Sequence, residues 1–197
     1  LLTELLQSSD FDQKLTFQIF ATDINEDALE IAKYGAYEEE AFETVPSRIL
    51  STYFQKKGSH FRVIKELRDK IVFSKHNVFQ DPPFLRMDLI SCRNVLIYLQ
   101  TVLQRKILNN FSFGLKDGRF LFLGGSETIE PLKEQFHILD NRNKLYSSTG
   151  KKTSPTISIS KHKSNFSIPE KGRTNTNYEN FELKTISQLL LEDFGVA

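Results

Sequence analysis

Short apolar runs alternate with amphipathic segments along this chain, and the alternation predicts strands separated by helices. A predicted strand is a run of large apolar residues that ends in polar ones, as in FQIFATDI, where Thr22 and Asp23 close the run. The predicted strands are 17–24, 60–64, 70–78, 87–92 and 119–125. The predicted helices, with apolar residues at helical spacing, are 25–35, 45–56 and 101–115. FHILD and NKLYSS, joined at Asn141–Arg142, predict an antiparallel hairpin.

Local signals indicate the ends of these elements and the face that one helix buries. Asn25 can cap the helix that follows the first strand, and Gly35 can end it. DPPF at 81–84 is predicted to be a loop, because two prolines do not fit a helix interior or a central strand. The helix at 101–115 has four apolar residues on one side, which we expect to face the core: Leu103, Ile107, Leu108 and Phe111.

The order of elements predicts an α/β fold with a mostly parallel sheet, helices on both faces, and antiparallel strands added by a hairpin at 136–147. We expect residues 1–148 to form one domain. Residues 149–180 are rich in Ser, Thr, Lys and Asn and predict a flexible linker. Residues 181–197 predict the start of a following helix or sensor domain. The first residue is not methionine, so we expect a piece of a longer chain.

Composition narrows the class of protein. The chain has 197 residues, 39% of them hydrophobic, which suffices for a real core. With 26 basic and 25 acidic residues the net charge is +1, which gives no reason to expect nucleic acid as a partner. The single cysteine, Cys92, allows no internal disulfide and suits a reducing compartment. No apolar run approaches the roughly 20 residues that span a bilayer. These features predict a soluble cytoplasmic protein with no membrane insertion.

Polar residues follow three of the predicted strands, and we expect them to share one edge of the sheet, where an open α/β sheet binds its ligands. Asp23 can accept the hydroxyls of a ribose, or it can help to start the next helix. Asn77 has the donor and acceptor that suit an adenine edge, or it can be a turn residue. Both alternatives stay open at this point.

The third position, Arg93-Asn94, interrupts an apolar stretch. Arg93 can hold a ligand carboxylate and Asn94 can cap a short helix at 95–99, but an internal salt bridge with a cap explains the pair equally well. Tyr98 lies one helical turn further on. The four histidines show no metal-ligand spacing, and Cys92 has no motif partner, so metal or nucleophilic catalysis is disfavoured.

Five blocks of the sequence, in order and with family-like gaps over about residues 15–147, resemble the bacterial chemotaxis-receptor glutamate methyltransferases, the CheR family. The blocks are FATDINEDALEIAKYGAY, FSKHNVFQDPPF, DLISCRNVLIYL, FLFLGGSETI and NKLY. The DPPF before DLISCRN is most similar to versions within large fused signalling proteins, where a methylesterase domain precedes and PAS-type sensor segments follow.

The resemblance implies an N-terminally truncated class I methyltransferase domain with a Rossmann-like sheet. Its cofactor would be S-adenosylmethionine, and it would esterify glutamate side chains on the cytoplasmic helices of methyl-accepting chemotaxis receptors. A glutamate carboxylate is already ionised at neutral pH, so no strong general base is required. The resemblance assigns Asp23 to the cofactor ribose, Asn77 and Val78 to the adenine, Arg93 and Asn94 to the methionine end, and Tyr98 to the transferring methyl.

The sequence also departs from the family pattern. The N-terminal helical domain, the first strand and its glycine-rich loop are not found here, so we expect the isolated 197 residues to bind the cofactor poorly and to transfer no methyl groups. Three other interpretations remain: a methyltransferase for another substrate, a dehydrogenase that uses Asp23 for ribose, and a non-catalytic interaction module with a methyltransferase fold. The CRNVLIY block disfavours the dehydrogenase.

Overall fold

A computed structural model describes residues 16–153, and the chain divides between Asn77 and Val78 into two compact units. The predicted segment 181–197 and most of the predicted linker lie outside the described residues, so these predictions stay untested. Within residues 16–153, no helix is long and apolar enough to cross a membrane. We describe each unit separately.

The first unit is organised by a parallel pair of strands, β1 and β5. Their register runs from Ile19 opposite Ile71 to Asp23 opposite Lys75. The helix after β1 has the predicted caps, because the Asn25 side chain accepts the N–H groups of Asp27 and Ala28, and Gly35 ends it with a φ of 66°. The elements are β1 Ile19–Asp23, α1 Glu26–Tyr34, β2 Ala36–Glu38, a 3₁₀ helix at Glu39–Phe42, α2 Ser47–Tyr53, β3 Phe54–Lys57, β4 His60–Val63, α3 Lys65–Arg68 and β5 Ile71–Lys75.

A small antiparallel sheet, in the order β2-β4-β3, forms between β1 and β5. The sequence predicted only β4 of these strands, because β2 and β3 have three and four residues and no clear alternation. Helix α2 is shorter than predicted because Phe54 leaves it to pair opposite Val63. The ring of Phe42 packs against those of Phe54 and Phe61, with centroids 4.8 and 5.2 Å away, and this contact joins the sheet to the 3₁₀ helix.

The second unit is built on a four-stranded sheet in the order β6-β7-β9-β8. Strands β6 and β7 are parallel and are connected through a long helix, as a βαβ unit requires. The closing hairpin is antiparallel, as predicted. The elements are β6 Met87–Cys92, a 3₁₀ helix at Leu96–Tyr98, α4 Thr101–Gly114, β7 Leu115–Leu123, a 3₁₀ helix at Glu130–Gln135, β8 Phe136–Asp140 and β9 Leu145–Ser148.

The largest core of the described residues lies in this second unit and uses both faces of β7. Leu121 and Leu123 belong to the cluster that contains the helix α4 residues Ile107, Leu108 and Phe111. Phe120 and Phe122 alternate with them along the strand and pack on the other face in a cluster with Leu145 and Leu89. Three of the four predicted helix positions are buried, whereas Leu103 is 38% exposed.

The predicted α/β class is confirmed, but the expectation of a mostly parallel sheet is not. Among the described strands, two pairings are parallel, β1–β5 and β6–β7, and four are antiparallel. The parallel pairings are those that helical crossovers connect. The antiparallel majority comes from the hairpin and from the small sheet at 36–63, whose short strands have no clear sequence signal.

Candidate functional site

Asp23 and Asn77 lie at the same end of the first unit's parallel strand pair. Asp23 is the last residue of β1, and Asn77 follows the end of β5 by two residues. The backbone N–H of His76 donates to the Asp23 carbonyl at 3.0 Å, which ties the two strand ends together. Asp23 and Asn77 therefore follow neighbouring strand ends within this unit, and their convergence on a ligand stays a prediction.

The Asp23 side chain is exposed and has one oxygen engaged locally. Its Oδ1 accepts the N–H of Asn25 at 2.9 Å, which supports the turn before helix α1. The alternative that Asp23 helps to start the helix is thus correct in part, although the cap itself is Asn25. Among residues 16–153, Oδ2 has no hydrogen-bond partner. The carboxylate can accept a ligand hydroxyl without giving up its turn bond.

Arg93 and Asn94 follow directly after β6, in the second unit, and both are exposed. The Arg93 guanidinium lies over the Phe122 ring, 4.7 Å from its centroid. No carboxylate in the described part of the chain forms an ion pair with it, so the internal salt-bridge alternative is wrong there. Asn94 has a φ of 60°, and the 3₁₀ helix that follows has no side-chain cap, so the capping alternative is also wrong.

The remaining predicted residues, Tyr98 and Val78, differ in exposure. Tyr98 is the last residue of the 3₁₀ helix and its side chain is 81% exposed, so it is not a packing residue. The predicted helix at 95–99 is only this three-residue turn. Val78 packs against the core of the second unit, and its carbonyl accepts the Asn110 side-chain amide at 3.2 Å.

The sequence interpretation missed a buried carboxylate beside the Arg93-Asn94 segment. Glu127 is 3% exposed. Its Oε1 accepts the backbone N–H groups of Val95 and Leu96 at 2.8 and 2.7 Å, and its Oε2 accepts that of Gly124 at 2.6 Å. Hydrogen bonds to a charged acceptor contribute roughly 1.5–3 kcal/mol each. The available sequence signal was an acid in the predominantly apolar block FLFLGGSETI.

Gly124 is the contact point between the turn after β7 and the segment after β6. A Cβ at this position would lie 2.5 Å from Asn94 Oδ1, 2.8 Å from Glu127 Oε2 and 2.9 Å from the Asn94 nitrogen. Real Cβ atoms do not come this close to other heavy atoms. Glycine is therefore required here by close packing, since the two segments leave no space for a methyl group.

Cys92, the last residue of β6, is a protected thiol. Burial, with a smaller contribution from the Glu127 carboxylate, raises the pKa of Cys92 from 9.0 to about 12. The thiol therefore stays protonated at neutral pH and does not act as a nucleophile. Among the described residues, no three His, Cys, Asp or Glu side chains cluster so as to hold a metal ion.

Comparison with known proteins identifies the class of this chain. A family model described as "CheR methyltransferase, SAM binding domain" matches residues 2–145. A Rhodobacter capsulatus protein, "Uncharacterized 104.1 kDa protein in hypE 3'region", is 37% identical over 131 residues, which cover 66% of this chain and 14% of that protein. A "Probable chemotaxis protein methyltransferase" of Rhizobium etli is 36% identical over 130 residues, which cover 64% of this chain and 48% of that protein.

A solved SAM-dependent methyltransferase from Methanosarcina mazei is 15% identical, with a TM-score of 0.34, over 66% of this chain and 61% of that one. This likeness is too low to support an argument about the fold. The family match, by contrast, covers well over half of the chain and defines a methyltransferase domain. The chain belongs to the CheR methyltransferase family, in the part that binds S-adenosylmethionine. It spans less than half the length of the two curated relatives that it matches.

S-adenosylmethionine is the cofactor of this domain, and each unit taken by itself has one polar side chain whose chemistry suits part of it. Oδ2 of Asp23 is available to a hydroxyl such as those of the ribose. The exposed Arg93 guanidinium has no carboxylate partner among residues 16–153, and a guanidinium is the group that binds a carboxylate through two parallel hydrogen bonds. The cofactor contains both complementary groups, at its ribose and at its methionine end.

Proposed function

We propose that this domain, within its full-length protein, transfers a methyl group from S-adenosylmethionine to glutamate side chains of chemotaxis receptor proteins. The observation on which the proposal rests most is the family match over residues 2–145. It is supported by the description of the Rhizobium etli relative as a probable chemotaxis protein methyltransferase. The partners are the cytoplasmic helices of methyl-accepting receptors, and the reaction takes place in the cytoplasm.

Six residues bind the cofactor or orient the substrate in this proposal. Asp23 accepts ribose hydroxyls, and Asn77 with the backbone N–H of Val78 contacts the adenine, since the Val78 carbonyl is already bound by Asn110. Arg93 pairs with the methionine carboxylate while Asn94 contacts the same end. Tyr98 presents its phenol, which is exposed here, to the reacting groups.

The chemistry demands orientation rather than proton transfer from this chain. When bound, the cofactor supplies an electrophilic methyl group on a sulfonium. The receptor glutamate is ionised near pH 7, so no side chain has to remove a proton from it. Holding two reactants in a near-attack geometry accounts for much of the barrier reduction in such reactions. Tyr98 orients the carboxylate through a hydrogen bond from its hydroxyl.

The test combines binding and product chemistry in the full-length protein. S-adenosylmethionine binding is measured by calorimetry, and transfer of radioactive methyl to a purified receptor cytoplasmic fragment is measured in parallel. A glutamate methyl ester releases methanol in mild alkali, whereas a methylated nitrogen does not. Binding without alkali-labile product would contradict the proposed substrate. Absence of binding would contradict the enzyme and favour an interaction module.

Two substitutions test the residue roles. Asp23→Asn keeps an acceptor for the Asn25 N–H but weakens the ribose contact, so we expect cofactor affinity to fall by about 1–3 kcal/mol. Asp27→Asn, in the first turn of the same helix, is the matched control and should leave affinity unchanged. Tyr98→Phe should lower turnover more than affinity. An unchanged turnover would show that the Tyr98 hydroxyl has no role in the reaction.

A further inference from the structure

We infer that Glu127 is a positioning residue, which holds the segment 93–98 in the shape that binds the methionine end of the cofactor. The inference rests on the proposed function, and it adds a residue to which that function assigns no role. Glu127 does not touch the ligand in this account. It acts through the backbone that presents Arg93 and Asn94.

The hydrogen bonds of Glu127 converge on the backbone next to those two residues. Val95 and Leu96, whose N–H groups donate to Oε1 at 2.8 and 2.7 Å, follow Asn94 directly. The other carboxylate oxygen accepts the Gly124 N–H at 2.6 Å. One side chain from the turn after β7 therefore ties that turn to the segment after β6, and both turns lie at the carboxyl ends of parallel strands.

The segment requires such an external restraint because its conformation is not locally preferred. Asn94 has a φ of 60°, a left-handed conformation that costs free energy in any non-glycine residue, although less in asparagine than in most, and that persists where the surroundings hold it. Val95, the N-cap residue of the 3₁₀ helix that follows, makes no side-chain capping hydrogen bond of its own. Glu127 satisfies the two N–H groups at its start, which would otherwise have no acceptor from the helix itself.

Position 127 requires a carboxylate, because both side-chain oxygens of Glu127 act as hydrogen-bond acceptors. A glutamine would turn its NH₂ group toward a backbone N–H, either that of Gly124 or those of Val95 and Leu96. Glu127 also forms no ion pair with any basic side chain within 16–153. Its three hydrogen bonds all come from backbone N–H groups, and it does not pair with the Arg93 guanidinium, which lies over the Phe122 ring instead.

A purely structural role for Glu127 predicts different behaviour from a positioning role. Loss of fold stability would weaken the binding of every ligand to a similar extent. Displacement of Arg93 and Asn94 would weaken only ligands that have the amino-acid group of methionine. 5′-Methylthioadenosine lacks that group but keeps the adenine, the ribose and the sulfur, so it is the discriminating probe.

The experiment measures both ligands by calorimetry on the full-length protein and on Glu127→Gln. We expect S-adenosylmethionine affinity to fall by about tenfold or more, and methylthioadenosine affinity by less than about twofold. Glu130→Gln is the matched control, since Glu130 lies three residues on and its exposed side chain pairs, within residues 16–153, only with Lys133 at 2.8 Å. It should change neither affinity.

Gly124→Ala perturbs the same contact from the other side, because its Cβ would meet Asn94. It should lower the affinity for S-adenosylmethionine selectively, as Glu127→Gln does. The variant that carries both substitutions should lose less affinity than the product of the two single fold-changes. If Glu127→Gln loses equal affinity for both ligands, or loses none, the positioning role is overturned. The proposed function still stands in that case, provided that the wild-type protein binds S-adenosylmethionine. Wild-type protein that binds neither ligand would overturn both.

Discussion

Gly114, the last residue of helix α4, provides a sharp test of packing in the second unit. A Cβ added there would lie 2.3 Å from the backbone carbonyl oxygen of Phe84, in the DPPF loop. An ordinary carbon–oxygen contact is about 3.3 Å, so the helix end or the loop must move by roughly 1 Å. Neither can rotate away cheaply, because the contacting atom belongs to the backbone and Gly114 is buried.

Two opposing effects set the expected magnitude for Gly114→Ala. Alanine in place of glycine within a helix gains about 0.5–1 kcal/mol from backbone entropy and propensity. Overpacking a tight site costs about 1–3 kcal/mol. Because the contact here is with backbone, we take the upper half of that range and expect a net destabilisation of about 1–2 kcal/mol.

Urea unfolding followed by far-UV circular dichroism measures this difference as a lower midpoint with an unchanged slope. Gly125→Ala is the matched control, since a Cβ at that position meets no atom within 4 Å. It should be neutral or stabilising by up to about 1 kcal/mol, through the unfolded state. A Gly114→Ala midpoint equal to or above that of the wild type would show that helix α4 and the DPPF loop do not approach each other this closely.

Three further predictions follow from local contacts. At pH 9 an unfolded cysteine is about half ionised, whereas the folded pKa of about 12 leaves roughly one thiol in a thousand ionised. Iodoacetamide should therefore label native Cys92 hundreds of times more slowly than urea-unfolded chain, and equal rates would contradict the burial of the thiol. Because the pKa of Cys92 is higher in the folded chain, the neutral thiol contributes its full share to the free energy of unfolding below about pH 9. That contribution is lost as the pH rises toward 12. Asn25→Ala removes the side-chain acceptor of the Asp27 and Ala28 N–H groups and should cost about 1 kcal/mol in thermal unfolding, whereas Asn25→Asp should cost much less.

Elements whose signal is local were predictable. Helix α1 is present between its predicted Asn25 cap and Gly35, and β6 matches the predicted 87–92 at both ends. The hairpin at β8 and β9 also formed where two apolar runs flank a polar turn. In each case neighbouring residues satisfy the backbone hydrogen bonds or define the buried face, so the information is contained in a short window of sequence.

The candidate residues at strand ends were predictable for the same reason, but their surroundings were not. Strand ends define where Asp23, Asn77 and Arg93 lie along the chain. The exposure of Arg93 and the absence of an ion pair for it among residues 16–153 depend on which carboxylates reach it in space. The placement of Asp23 and Arg93 on one shared edge stays a prediction.

Tertiary contacts define what no local pattern contains. The strands β2 and β3 exist because β4 pairs with both of them, although neither has a strand signal of its own. Glu127 is a buried acceptor only because the turns after β6 and β7 meet. Its hydrogen bond with Leu96 joins two residues that are 31 apart in the chain. The sequence thus encodes the elements and the polar strand ends through local periodicity and capping. The hydrogen-bond partners of Glu127 follow from the parallel pairing of β6 and β7, because that pairing brings residues distant in the chain within hydrogen-bond distance.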